Sequence, residues 1–169
     1  DIVILGAGSG GYATALRAAQ LGMKVALVEG DKVGGTCLHR GCIPTKAYLH
    51  AAETADTVRE SEAFGILSSF QGIDMAKVGA YRDSVITKLY KGLQGLLSSR
   101  KVEIVSGWGR LVSENSVEVN GRVLTGRNIV LATGSYSRSL PGLEIGGRVI
   151  SSDQALQMDW VPRSAVILG

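Results

Sequence analysis

This sequence lacks the features that are typical of several protein classes. Aromatic residues make up only 5% of the 169 residues, and no run of five or six like charges occurs despite the net charge of +3. Both features argue against a nucleic-acid-binding surface. The longest apolar runs, such as VALV and IVLA, are far too short to cross a membrane. With 45% hydrophobic and 20% charged residues, the composition is typical of a folded domain, for which we expect a cytoplasmic location.

The two ends of the sequence suggest a piece of a longer protein. It starts at Asp1 rather than at a methionine, and it ends in SAVILG, which has the pattern of a buried strand followed by its first glycine. AVILG at the end also resembles IVILG at the start. We therefore expect a second dinucleotide-binding unit to begin near the last residues.

A strand–helix–strand unit is predicted at the start of the chain. Ile2 to Leu5 are continuously apolar, as in a strand buried on both faces of a parallel sheet. Tyr12 to Leu21 is rich in alanine and leucine and is predicted to be a helix, and Lys24 to Val28 is predicted to be a second buried strand. The arrangement favours an α/β fold with a parallel sheet.

Three glycines between the first strand and the helix fit a dinucleotide-binding turn. Gly6, Gly8 and Gly11 have the spacing GxGxxG, which allows a tight turn, a close approach of the backbone to a pyrophosphate, and close packing of the helix on the strand. Glu29 ends the second strand, eighteen residues after Gly11, where its carboxylate can accept hydrogen bonds from ribose hydroxyls. The motif alone does not distinguish FAD from NAD.

The middle of the chain is predicted to contain a loop and two helices, with a surface segment between the helices. A loop is predicted from Gly30 to Cys37, a helix from Ala47 to Glu60, and a long helix over Ile73 to Ser99. The apolar stripe of the long helix is typical of core packing.

Short β-branched runs replace the helical period in the last third. A small β-meander is predicted from Val102 to Leu124, with a hairpin at Asn120-Gly121, and a buried strand is predicted at Ile129 to Leu131. A short helix is predicted over SDQALQM, capped by Ser152 or Asp153.

The two cysteines, Cys37 and Cys42, leave several interpretations open. They could be buried apolar residues, and although His39 and His50 lie nearby, the spacing matches no common zinc pattern. In a regular helix, residues five apart rise by about 7.5 Å, beyond the roughly 7 Å limit on Cα separation for a disulfide. A bond between them would require an irregular backbone, which Gly41 and Pro44 could supply.

The segment GGTCLHRGCIPTKA, residues 34 to 47, resembles the redox-active segment of the flavoprotein disulfide oxidoreductases, and most closely that of their dihydrolipoamide dehydrogenase branch. The resemblance extends over the whole chain, through the opening GxGxxG, TGRNIVLATGS as a second FAD motif, and SSDQALQMDWVPRSAVILG as the crossing to an NAD domain. It implies an incomplete Rossmann-like FAD-binding domain over residues 1–150, discontinuous in the family. Residues 151–169 would be a linker and the first strand of the NAD-binding domain.

The resemblance also implies roles for single residues. Cys37 would exchange disulfides with the substrate, Cys42 would lie against the flavin as a charge-transfer thiolate, and Lys46 would lie beside flavin N5. Trp108 could stack on adenine or pack in the core. The FAD-binding residues implied by the family motifs are Gly6, Gly8, Gly11, Glu29, Gly34, Gly35, Thr36, Lys46, Trp108, Gly109, Ala132, Thr133, Gly134 and Ser135.

The activity implied by the resemblance is oxidation of dihydrolipoamide on the lipoyl domain of a 2-oxo acid dehydrogenase complex, with FAD and NAD as cofactors, by a homodimer. His39 and Arg40 replace the asparagine and small or apolar residue frequent in the family; they could tune the thiols or face solvent. Neither His39 nor His50 is expected to be the catalytic base, which the family supplies from a C-terminal interface domain. The alternatives are a mercuric or glutathione-type reductase and a non-catalytic FAD-binding electron-transfer module.

Overall fold

A parallel sheet of four strands forms the centre of the computed structural model, which describes residues 1–168. The strands are β1 (Ile2–Leu5), β2 (Val25–Glu29), β3 (Glu103–Ser106) and β7 (Asn128–Leu131). Their spatial order is β3-β2-β1-β7, and every neighbouring pair is parallel. The central strands β1 and β2 are almost wholly buried, which explains why their sequences are continuously apolar.

Helices cover one face of this sheet. Helices α1 (Ser9–Gln20) and α4 (Met75–Ser99) pack on the sheet, and α3 (Cys42–Glu60) packs against α4 and α2 (Gly35–Arg40). A short α5 (Ser152–Ala155) follows near the end of the described chain. Side chains of β1, β2, α1 and α4 form the main core, including the fully buried Ile4, Leu27 and Leu97. No helix among residues 1–168 is long and apolar enough to cross a membrane.

A three-stranded antiparallel meander covers the other face. Its strands are β4 (Gly109–Ser113), β5 (Ser116–Val119) and β6 (Arg122–Thr125), in that spatial order. Val117 and Val119 pack with Val3 and Val28 of the parallel sheet. The predicted α/β architecture, a Rossmann-like domain with a small meander, is confirmed, as is the hairpin at Asn120-Gly121, where both residues have positive φ.

The predicted boundaries of the meander were wrong at its start. Glu103–Ser106 belongs to the parallel sheet and pairs with β2, from Ala26↔Glu103 to Glu29↔Ser106. Short β-branched runs show that a segment is extended, but they do not show which neighbour it pairs with. The meander therefore begins at Gly109 rather than at Val102.

The predicted loop and helix around the cysteines also need correction. The loop over Gly30 to Cys37 ends early, because α2 begins at Gly35, and the following helix begins at Cys42 rather than at Ala47. Pro44 lies in the first turn of α3, where a missing N–H removes no helical hydrogen bond. The break between the two helices is therefore at Gly41, and Pro44 does not interrupt the backbone.

Two further differences concern residues near the end. The N-cap of α5 is Ser151 rather than Ser152 or Asp153, and its side chain forms a capping box with Gln154. The segment 165–168, predicted as a strand of a second domain, has no strand partner here, and its apolar side chains are exposed. A strand forms only when a neighbour takes its backbone hydrogen bonds. Gly169 lies outside the described residues, and the assignment of two domains stays a prediction.

Candidate active site

The three motif glycines lie at the carboxyl end of β1, where the chain turns into α1. Gly6 has φ +98°, and a Cβ atom there would lie 2.2 Å from the carbonyl oxygen of Ala132. A Cβ atom on Gly11 would lie 1.8 Å from the carbonyl oxygen of Gly6. The turn and the packing of helix on strand therefore both require glycine, as the motif predicts.

Gly8 leaves the start of α1 open to an anion. It is the N-cap residue of this twelve-residue helix and has no side chain that could accept hydrogen bonds from the first N–H groups. The positive end of the helix dipole lies at the same place. These groups fit the pyrophosphate of a dinucleotide.

The segment before Cys37 lies directly beside this turn. The N–H of Gly34 donates to the carbonyl oxygen of Ala7 at 2.8 Å. A Cβ atom on Gly35 would lie 2.6 Å from the Cα atom of Gly8. Thr36 follows as an exposed residue of α2. The glycine turn and the cysteine segment meet through pairs of residues that are 27 apart in sequence, and thus form one surface.

Glu29 is held in place by backbone donors. Its carboxylate accepts hydrogen bonds from the N–H of Ala7 at 2.7 Å and from the N–H of Asp31 at 2.9 Å. A carboxylate has about four acceptor sites, so capacity remains for a ribose hydroxyl. No sequence pattern predicts the contact with Ala7, because the two residues meet only through the pairing of β1 with β2.

The other predicted FAD-binding residues lie at the same edge of the sheet. The ring of Trp108 lies against the backbone of Gly30 and is 82% exposed, so the interpretation as a core residue was wrong. Gly109 is tightly packed instead, since a Cβ atom there would lie 2.5 Å from Leu5 Cδ1. Ala132 follows β7 beside Gly6, and the exposed Thr133, Gly134 and Ser135 continue from it.

This arrangement has one topological cause. Gly6, Glu29, Trp108 and Ala132 follow or end β1, β2, β3 and β7, whose carboxyl ends meet at one edge of the parallel sheet. Ligands of open α/β sheets bind at that edge. The residues present therefore fit FAD, although each individual contact with FAD stays a prediction.

The two cysteines lie on either side of a helix break. Cys37 is a half-buried residue of α2, Cys42 is the exposed first residue of α3, and both are free thiols. A Cβ atom on Gly41 would lie 3.0 Å from the carbonyl oxygen of Thr36 and 3.5 Å from the Cα atom of Cys37. The glycine lets the chain turn back closely enough for the two thiols to meet.

The neighbours of Cys37 determine the direction in which its pKa is shifted. A hydrogen bond with Cys42 and partial burial raise the pKa of the Cys37 thiol, and the nearby charge of Lys46 offsets only part of this increase. Lys46 is an exposed residue one turn after Cys42 on α3. In the reduced protein, Cys37 is therefore held as a neutral thiol paired with its neighbour.

This pairing predicts a pH dependence of alkylation. In the reduced protein, the rate of iodoacetamide modification at Cys37 should rise at higher pH than for an ordinary exposed thiol, because the thiolate is the reactive form. Replacing Cys42 with alanine removes the hydrogen bond and should move the midpoint to lower pH. Mass spectrometry of the modified peptide measures both profiles, and an unchanged midpoint in Cys42→Ala would contradict the assigned cause.

Two residues near the dithiol were not assigned a structural role from the sequence. The imidazole of His39 donates from Nε2 to the carbonyl oxygen of Val33 at 2.9 Å. The mostly buried guanidinium of Arg82 donates to the hydroxyl of Tyr48 at 2.7 Å and to the carbonyl oxygen of Leu156, and also pairs with Asp83. Arg82 thus joins α3, α4 and the end of α5.

A cavity of about 350 Å³ lies between these groups, lined in part by His39, Arg40, Pro44 and Arg82. Its two arginines are already paired, Arg82 with Asp83 and Arg40 with Asp31 at 3.9 Å. Within residues 1–168, no group of three or more His, Cys, Asp or Glu side chains is arranged to hold a metal ion.

The fold and the site together define a dinucleotide-binding α/β domain with a cysteine pair beside the nucleotide turn. The model of the pyridine nucleotide-disulphide oxidoreductase family matches residues 1–169, and the chain belongs to this family. It is a homologue of dihydrolipoyl dehydrogenases.

The similarity to these relatives covers all of the chain but only part of theirs. The chain is 44% identical to the dihydrolipoyl dehydrogenase of Bacillus subtilis (strain 168) and 42% identical to that of Thermus scotoductus, and it spans 39% and 37% of their lengths. Among solved structures, the HOCl-induced flavoprotein disulfide reductase RclA from Escherichia coli matches 96% of this chain and 35% of its own, with a TM-score of 0.75 at 24% identity. That structural match supports the fold.

Proposed function

We propose that the complete protein containing this chain is an FAD-dependent dehydrogenase of protein-bound dihydrolipoamide, with NAD as the final electron acceptor. The observation that carries the proposal is the position of Cys37 and Cys42, which adjoin the glycine turn through the approach of Gly35 to Gly8. The identity of 44% with a dihydrolipoyl dehydrogenase supports this choice within the family.

In the proposed reaction, the oxidised protein carries a Cys37–Cys42 disulfide. A thiolate of dihydrolipoamide attacks the sulfur of Cys37, forms a mixed disulfide and releases Cys42 as a thiolate. The second substrate thiolate attacks the substrate sulfur of this mixed disulfide, which releases lipoamide and leaves Cys37 reduced. The protein has gained two electrons, and the substrate's two protons pass to the protein and solvent.

Each residue of the site has a defined part in this scheme. The open N-terminus of α1 and Glu29 would hold the nucleotide, and Cys42, at the N-terminus of α3, lies where the helix dipole favours negative charge. Bound FAD supplies the redox chemistry that carries the electron pair from the dithiol to NAD. Because the pKa of Cys37 is raised, formation of its thiolate requires a base, and a histidine from a further domain of a homodimer is proposed for this role.

The proposal includes the organisation of the complete protein. Residues 1–150 would form the first part of the FAD-binding domain, and 151–169 would lead into the NAD-binding domain. The lipoyl domain of a 2-oxo acid dehydrogenase complex is the proposed partner, and a cytoplasmic location stays a prediction.

The visible absorption spectrum of the complete, purified protein tests the function. We expect a flavin spectrum that gains a long-wavelength shoulder when dihydrolipoamide is added without oxygen, because electrons enter through the dithiol beside the flavin. Cys42→Ser should remove the shoulder while leaving flavin bound. A protein that contains flavin but is reduced by glutathione rather than by dihydrolipoamide would reassign the substrate, and one that binds no flavin would contradict the proposal.

A further inference from the structure

The short helix that carries Cys37 has few anchors of its own. Helix α2 has six residues, and neither end has a capping side chain, since its flanking residues are Gly34 and Gly41. A helix of this length is not stable in isolation. Its position must therefore come from contacts with the rest of the domain.

One of these contacts is apolar. Leu38 is the buried residue of α2 and packs over Gly34, where a Cβ atom would lie 2.3 Å from Leu38 Cδ2. This contact fixes how deeply α2 is buried in the domain. The hydrogen bond from Gly34 to Ala7 and the packing of Gly35 on Gly8 hold the start of α2. Its later half can still turn about Leu38, so the direction of Cys37 requires a second contact there.

His39 provides that second contact through a hydrogen bond and through its ring. Its Nε2 lies 2.9 Å from the carbonyl oxygen of Val33, and because a carbonyl only accepts, Nε2 carries the hydrogen. The ring also meets Tyr90 of α4 edge to face, with centroids 5.1 Å apart and planes at 74°. The imidazole thus joins α2 to the preceding loop and to the long helix.

We propose that His39 is a positioning residue that holds α2 so that Cys37 faces Cys42, and that it thereby favours the disulfide over the dithiol. The reason is effective concentration: a fixed α2 keeps one sulfur close to the other, and a loosened α2 does not. The inference rests on the redox role proposed above for the cysteine pair.

The test measures the thiol–disulfide equilibrium of the complete flavoprotein in glutathione buffers of varied ratio. The protein dithiol and oxidised glutathione give the protein disulfide and two reduced glutathiones, and alkylation with mass spectrometry reports the fraction of Cys37 and Cys42 that is free. For His39→Ala we expect the equilibrium constant for disulfide formation to fall about tenfold, which is about 30 mV for this two-electron couple. His39→Gln, whose amide can donate to Val33 but has no ring to meet Tyr90, should restore part of it.

The chain offers a matched control in its other histidine. The side chain of His50 is 67% exposed, and its Nδ1 lies 3.9 Å from Glu53 Oε2. His50→Ala should therefore leave the thiol–disulfide equilibrium unchanged. Tyr90→Ala removes the ring beneath His39 without changing α2, should shift the equilibrium in the same direction, and keeps the test possible if His39→Ala does not fold.

The outcomes separate this inference from the proposed function. A wild-type equilibrium constant in His39→Ala would overturn the role of His39 alone. If His39→Ala does not fold, a wild-type constant in Tyr90→Ala would have the same meaning. An equilibrium constant in His39→Gln as low as that of His39→Ala would also overturn this role. Failure of the wild-type protein to form the disulfide at any glutathione ratio would overturn the redox role of the pair.

Discussion

Replacing Cys37 with serine in the complete protein is expected to lower the rate of dihydrolipoamide oxidation by more than about 10³-fold, as removal of a covalent catalytic group does. The reason is that a hydroxyl cannot form the mixed disulfide through which the substrate's electrons enter. Flavin content should stay at the wild-type level, because Cys37 lies on α2, and the open N-terminus of α1 and Glu29 are left unchanged.

A second activity distinguishes loss of the thiol from loss of the fold. Reduction of ferricyanide by NADH uses flavin but no dithiol, so it should continue in Cys37→Ser. Thr45→Ser is a suitable control, because Thr45 is exposed on α3 and its hydroxyl donates to the carbonyl oxygen of Gly41 at 2.7 Å, a bond that serine can also form. Sustained turnover of dihydrolipoamide by Cys37→Ser would refute the role assigned to Cys37.

The glycine turn and the central strands could be predicted from sequence because their causes are local. Continuous apolar runs indicate strands buried on both faces, and GxGxxG requires glycine for reasons that the backbone of Gly6 and Gly11 shows directly. The hairpin at Asn120-Gly121 could also be predicted from a local cause, since its two residues must both take positive φ.

The parts that could not be predicted depend on tertiary partners. β3 was placed in the meander because nothing in Glu103–Ser106 shows that it pairs with β2. Helix α2 was missed because it is short and glycine-flanked and is held by Leu38 and His39 rather than by its own propensity. The contact of Glu29 with Ala7 joins residues 22 apart, and only the sheet register brings them together.

The same reasoning predicts opposite results for two neighbouring glycines of α1. Gly11→Ala should destabilise the complete protein by about 3 kcal/mol or more and abolish FAD binding, because overpacking in a tight contact costs about 1–3 kcal/mol and here the clash is with rigid backbone. The added Cβ atom would lie 1.8 Å from the carbonyl oxygen of Gly6 and 3.5 Å from Ala132 Cβ. Relief of the clash requires α1 to move away from β1, which would open the turn that faces the pyrophosphate.

Gly10→Ala is the matched control, since it lies in the same helical turn and a Cβ atom there meets nothing within 4 Å. Alanine is favoured over glycine in a helix by roughly 0.5–1 kcal/mol, so this variant should be neutral or slightly more stable. Thermal unfolding and the ratio of flavin to protein after purification measure both effects. Equal stability and flavin content in the two variants would contradict the close contact of α1 with β1, because helix propensity alone cannot distinguish two adjacent glycines.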